Sequence, residues 1–147
     1  MKIKIIEDDN IEDITITIQC PKKDERLKKL VAMIQMQEHQ LMGRYRGEDY
    51  FIPLQDILYM ETIEKQVYIY TETCVYTCDL RLYEIEERFM DYDFFRAGKS
   101  MIINFQKMKS LRPDIDGRIQ VTMQNGKKLF VSRQYAPLLK RRLGVLK

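Results

Sequence analysis

The side chains best suited to chemistry gather in two short clusters toward the C-terminal end. The first is Phe94-Phe95-Arg96-Ala97-Gly98-Lys99-Ser100-Met101-Ile102-Ile103-Asn104, a polar, cationic loop set between aromatic and apolar anchors. Arg96, Lys99 and Ser100 are the types that reach phosphates and base edges: arginine and lysine match guanine O6 and N7, and serine serves either role. Gly98 would allow close backbone approach. The second cluster is Ser132-Arg133-Gln134, read as the start of a final helix, where free backbone N–H groups favour an anion. By composition alone, each cluster could equally be an ordinary surface loop.

Little else in the chain offers catalysis. His39 is the one histidine and follows a predicted helix, a place for a solvated surface residue, and no serine or cysteine triad assembles around it. Cys20, Cys74 and Cys78 lack CxxC spacing, and Cys74 and Cys78 would share a strand face, which suits packing better than a metal. The six glycines are isolated, so no phosphate-cradling loop exists, and Glu84, Glu86 and Glu87 read as the solvated side of a short helix. The expectation is a protein that is not an enzyme, with no cofactor and no metal. The stretch Ile5-Ile6-Glu7-Asp8-Asp9 resembles the first strand and acidic pair of a receiver domain, but the segment before the β-rich region is too short for one. The acidic pair is read as a turn.

The elements that must position these clusters follow from periodicity. Ile3 and Ile5 alternate with Lys2 and Lys4, and Ile14, Ile16 and Ile18 alternate with Thr15 and Thr17, so strands are predicted over 2–6 and 14–18. Leu27, Leu30, Val31 and Ile34 form the stripe of an amphipathic helix from 24 to about 37. From 41 onward the pattern is mostly β: strands over 41–46, 49–53, 57–61, 67–71, 75–79, 94–96 and 101–103, with a short helix from about 80 to 90. Ile119, Val121 and Met123 alternate before Asn125-Gly126 and Leu129-Phe130-Val131, the pattern of a hairpin with a type I′ turn. A closing helix from about 134 to 143 ends at Gly144.

Composition places the chain among ordinary folded proteins: 147 residues, 45% hydrophobic and 32% charged. No apolar run approaches the roughly 20 residues of a membrane helix. The N-terminus meets acid before any long apolar stretch, so the expected compartment is the cytoplasm. The net charge of +3 is unevenly distributed. Residues 1–40 hold 7 basic and 8 acidic side chains, residues 41–93 hold 5 and 12, and residues 94–147 hold 13 and 2. A last third at +11 is the footprint of a polyanion partner, unless the fold lays the acidic middle against it.

From about 41 to 147 the chain resembles a LytTR DNA-binding domain, the module of a class of bacterial transcription regulators. The resemblance rests on Leu54-Gln55-Asp56-Ile57-Leu58-Tyr59-Met60-Glu61, Leu80-Arg81-Leu82-Tyr83-Glu84-Ile85-Glu86, the cluster from Phe95 to Asn104, and Asn125-Gly126 followed by Val131-Ser132-Arg133-Gln134-Tyr135. It implies a mostly β fold of small antiparallel sheets with short helices, here preceded by a β-β-α leader over 1–40. It also implies that loops enter the DNA grooves. The DNA-facing positions carried over are Lys65 and Gln66 after Glu61, then Arg96, Lys99 and Ser100, then Arg133 beside Ser132. The sequence departs from the pattern at Gly98, where many members carry histidine. Asn104 follows an apolar strand, which favours a structural role. The reading is a sequence-specific duplex-DNA-binding transcription regulator. Its expected partners are promoter repeats, a homodimer mate and a regulatory protein of unknown identity. The alternatives are a protein-interaction module acting through the acidic middle, or a non-specific RNA or single-strand binder.

Overall fold

A computed structural model describes residues 1–37, 39–89 and 92–144. Regular structure begins at residue 25, and residues 1–24 form neither helix nor strand and are exposed throughout. The strands expected over 2–6 and 14–18 are therefore not formed: the alternation is present, but neither run has a ladder partner. Two strands alone are marginal in water, and Ile3 and Ile14 stand 82% and 88% exposed. The hydrogen bonds within this stretch are local, such as Asn10 N–H to Asp8 Oδ1 at 2.9 Å.

Helix α1 (Glu25–Gln37) is capped by Asp24, whose Oδ1 accepts the Leu27 N–H at 2.9 Å. It buries Ala32 and Met36. Among the described residues ten strands follow: β1 (Gln40–Tyr45), β2 (Glu48–Pro53), β3 (Tyr59–Ile63), β4 (Gln66–Tyr70), β5 (Val75–Cys78), β6 (Phe94–Gly98), β7 (Met101–Asn104), β8 (Met108–Pro113), β9 (Ile119–Met123) and β10 (Lys128–Val131). Helix α2 (Leu82–Phe89) separates β5 from β6, and α3 (Ala136–Arg142) follows β10. The strands make a seven-stranded antiparallel sheet, ordered β2-β1-β5-β4-β3-β7-β6, and a three-stranded one, ordered β10-β9-β8. The mostly β architecture with short helices is as expected.

Two apolar clusters share the large sheet. One joins Met36 of α1 and Leu82, Ile85 and Phe89 of α2 to Met60, Phe94 and Ile102. The other joins Tyr59, Phe95, Ala97 and Ile103 to Val121, Leu129 and Val131 of the small sheet and Leu139 of α3. Neighbouring residues on β3, β6 and β7 thus point into opposite cores. That is why these strands read as continuous apolar pairs rather than as alternating patterns.

Three local features differ from expectation. β8 carries no apolar alternation because it is an edge strand, exposed along most of its length and ending in Pro113, as edges of sheets tend to be. The β9–β10 connection is not a two-residue type I′ turn. Gly126 alone is left-handed there (φ 89°), with Gly126 N–H on the Met123 carbonyl and Met123 N–H on that of Lys127, a three-residue connection. The histidine is not a solvated residue: His39 is half-buried, with Nε2 2.7 Å from the Tyr92 hydroxyl. Of the cysteines, Cys78 is buried, Cys74 half-buried and Cys20 exposed.

Asn104 closes β7 as a structural residue. Fully buried, it donates from Nδ2 to the Ile57 carbonyl at 2.7 Å and accepts the Gln106 N–H on Oδ1 at 2.9 Å. Asn104→Ala leaves the Ile57 carbonyl unpaired in the core, so the expected loss of stability is about 1–3 kcal/mol. Urea unfolding followed by circular dichroism would record it as a lower midpoint at unchanged slope.

Candidate nucleic-acid interface

The cationic loops sit at strand ends and are bonded to the strands beside them. The β3–β4 turn is the two-residue connection Glu64 and Lys65, closed by the Ile63–Gln66 pair. Both residues are exposed and left-handed, at φ 49° and 69°. The positive-φ hairpin expected at Asn125-Gly126 is therefore found here, on residues with side chains. At the neighbouring β6–β7 turn, Lys99 and Ser100 are exposed. The Ser100 carbonyl accepts the Thr62 N–H at 2.8 Å, which ties this turn to the end of β3.

The third loop joins β10 to α3. Ser132 N–H donates to the Ala97 carbonyl at 2.9 Å, so this loop is pinned to β6, and Arg133 emerges from it exposed. The anion-binding amides expected here are partly used. α3 starts at Ala136 rather than 134, the N–H groups of Tyr135 and Ala136 both donate to the Ser132 carbonyl, and Pro137 has none to offer. The fourth loop, between β8 and β9, completes the group. Asp116 and Gly117 are left-handed there (φ 58° and 79°), and a Cβ on Gly117 would stand 2.9 Å from Arg133 Cγ. Gly117 thus makes room for the Arg133 side chain.

The six positions carried over from the sequence divide in two. Lys65, Lys99, Ser100 and Arg133 are exposed. Gln66 and Arg96 are engaged inside the protein. Gln66 Nε2 donates across to the Cys78 carbonyl at 2.9 Å. Arg96 donates from Nε to the Gly98 carbonyl at 2.7 Å, from Nη2 to the Lys99 carbonyl at 2.8 Å, and from Nη1 to Glu86 Oε1 at 3.0 Å. Gly98 is not required by space, since a Cβ there would meet only Ser132 at 3.9 Å. Glu61 accepts the Tyr70 hydroxyl at 2.5 Å, and Tyr70 stacks on Tyr59 at 4.2 Å between centroids. Burial pushes the Tyr59 hydroxyl up to about 12, and burial with the Glu61 carboxylate raises that of Tyr70 as well, so both stay neutral donors at ordinary pH.

Two residues of this region escaped sequence reasoning. Gly117 stood in an Asp-Gly dipeptide, a turn signal that could have marked its loop. Glu86 carried no local signal, because its partner lies ten residues on and across α2 and β6. The acidic middle does not blanket the basic end. Among the described residues, two ion pairs join them, Glu86–Arg96 at 3.0 Å and Asp93–Arg142 at 3.3 Å.

Comparison with known proteins agrees with this architecture. The LytTr DNA-binding domain family model matches residues 47–144. A solved LytTr DNA-binding domain from a Bacillus cereus protein superposes with a TM-score of 0.69 at 25% identity, covering 72% of this chain and 97% of that one. Uncharacterized HTH-type transcriptional regulators of Staphylococcus aureus align over 147 residues and 99% of each chain, at 26% identity in strain NCTC 8325 / PS 47 and 25% in strain MRSA252. In the present chain α1 and α2 are each followed by strands, so among the described residues no two helices are consecutive. With two thirds of its length under the family model and the same fold as a solved member, the chain belongs to the LytTR DNA-binding domain family.

Proposed function

We propose that this protein is a cytoplasmic transcription regulator that reads duplex DNA sequence-specifically through its bonded loops. In this reading Lys65, Lys99, Ser100 and Arg133 meet the DNA, while Gln66 and Arg96 hold the turns behind them. The observation that carries it is the linkage: Thr62 to Ser100, Ser132 to Ala97, and Gly117 against Arg133 make separate loops one surface. Loops so joined can hold several side chains at fixed spacing, which base reading requires and loose cationic tails do not provide. The full-length likeness to proteins named as transcriptional regulators supports the regulatory role. Two copies bound as a homodimer to repeated half-sites about 34–36 Å apart would place both on one face of the duplex. Residues 1–40 are then the leader that serves pairing or regulation, and 41–147 the DNA-binding unit.

Footprinting on DNA upstream of the protein's own gene supplies the preferred duplex, and gel shifts then compare it with a scrambled duplex and with single-stranded RNA. Preference for the first is the expected result. Equal binding to all three would point to the non-specific binder, and binding to none would point to a protein-interaction module.

Arg133→Ala is expected to weaken binding to the preferred duplex by about 1–3 kcal/mol, with a smaller loss on the scrambled one. An equal loss on both would make Arg133 a phosphate contact. Lys65→Ala should weaken both duplexes alike and reduce the slope of log affinity against log salt by about 0.9, read by titration from low to high salt. Gly117→Ala and Gly47→Ala both place a methyl group at φ 79°, but Gly47 has nothing within 4 Å while Gly117 faces Arg133. Both variants should melt lower, and only Gly117→Ala should lose duplex affinity.

A further inference from the structure

Among the described residues Arg96 is the most heavily bonded cation of the basic third, and each of its three guanidinium nitrogens donates to one of the protein's own groups. Its fork spans the carbonyls of Gly98 and Lys99, just where the β6–β7 ladder shifts register between Arg96 and Gly98. Its third donor lands on Glu86. The Arg96 side chain is 17% exposed and that of Glu86 43%. Glu86 itself rides on a fixed base, since the α2 residues Leu82, Ile85 and Phe89 are all buried in the core. A half-exposed ion pair adds little to stability. Its geometric effect is larger: it holds a planar guanidinium in the one orientation that serves both carbonyls of the turn carrying Lys99 and Ser100.

We propose that Glu86 is a positioning residue for DNA recognition, which through Arg96 fixes the turn at residues 99 and 100 in its reading conformation. This rests on the proposed function above. It makes an unusual demand of an acidic residue near a DNA-binding surface. By charge alone, removing a carboxylate tightens binding to a polyanion. By position, removing this one weakens binding to the preferred duplex. The sign of the effect separates the two.

The test uses the full chain, the footprinted duplex and its scrambled counterpart, with affinities read by fluorescence anisotropy over a salt series. Glu87→Gln is the control, because Glu87 is the exposed next residue of the same helix and undergoes the same charge change. The expected result is that Glu87→Gln leaves both affinities equal to or tighter than wild type. Glu86→Gln weakens the preferred duplex by roughly five-fold, the lower end of what one mismatched base pair costs, and spares the scrambled one. Arg96→Lys, whose single ammonium cannot span two carbonyls and a carboxylate, lowers the preference further and leaves the scrambled-duplex salt slope unchanged. Thermal melts of all three within a few degrees of wild type accompany this outcome. The proposal is overturned if Glu86→Gln behaves as Glu87→Gln does. It is overturned equally if Arg96→Lys weakens both duplexes by one factor and flattens the slope, which would make Arg96 a phosphate contact. A wild-type chain that failed to prefer the footprinted duplex would remove the proposed function instead, before any variant was compared.

Discussion

Burial of both faces of β3, β7 and β6 is the constraint on which the rest of the molecule depends. These strands lie between α1 and α2 on one side and the small sheet with α3 on the other. Three of the four loops of the candidate interface leave from one of them or are bonded to one, and the fourth packs through Gly117 against Arg133. Burial alone does not choose their register, however. Phe94 and Phe95 are both core residues, as are Ile102 and Ile103, so a one-residue slip would exchange one apolar side chain for another. What distinguishes the native register is polar. Asn104 is satisfied only where its amide meets the Ile57 carbonyl and the Gln106 N–H, and the Arg96 fork fits only where the ladder shifts before Gly98. A few hydrogen bonds thus decide an alignment that a much larger apolar area leaves open.

The same economy governs charge. The basic third does not act as one undivided patch, because several of its cations hold the fold. Arg142 packs over the Phe105 ring at 4.2 Å, donates to the Phe94 carbonyl at 3.0 Å and pairs with Asp93, and burial lowers its pKa from the usual arginine value. Arg118 lies over Phe130 and pairs with Asp114 at 2.8 Å. Lys99 and Arg133 are instead left on the surface at the strand ends. The +11 of the last third therefore overstates what a nucleic acid would meet, and the arrangement of the remaining cations matters more than their number.

Sequence reading recovered most of the β-rich region because its strands carry β-branched and aromatic residues between clear turn signals, as at Val67 to Tyr70 and Val75 to Cys78. It missed β8, whose lysine, arginine and proline are what a sheet edge needs and what a pattern search rejects. It also placed strands over 2–6 and 14–18, where alternation is genuine but partners are missing: a strand is a property of two segments, and periodicity reports on one. Lys65 was singled out only through family resemblance, since a lone surface cation carries no pattern of its own, whereas Arg133 stood out beside Ser132 at the expected start of a helix. The inward turn of Arg96 and Gln66 was illegible for a related reason. Their partners are backbone carbonyls, which every residue has, and for Arg96 also Glu86 on a separate element.

The β3–β4 turn shows how such a scaffold imposes itself on local preference. Two consecutive left-handed residues favour asparagine and glycine, and a residue with a longer side chain there costs about 1 kcal/mol or more. Glu64 and Lys65 bear that strain in full. They are held to it from both sides: β3 is clamped between β4 and β7, and Gln66 immediately after the turn is fastened to β5 through the Cys78 carbonyl. A glycine at 65 would relax the backbone and remove the ammonium from the tip. The strain therefore has a use in the proposed reading. It keeps a cation at a place where local conformational preference alone would put none, and a sheet buried on both faces supplies the rigidity that sustains it.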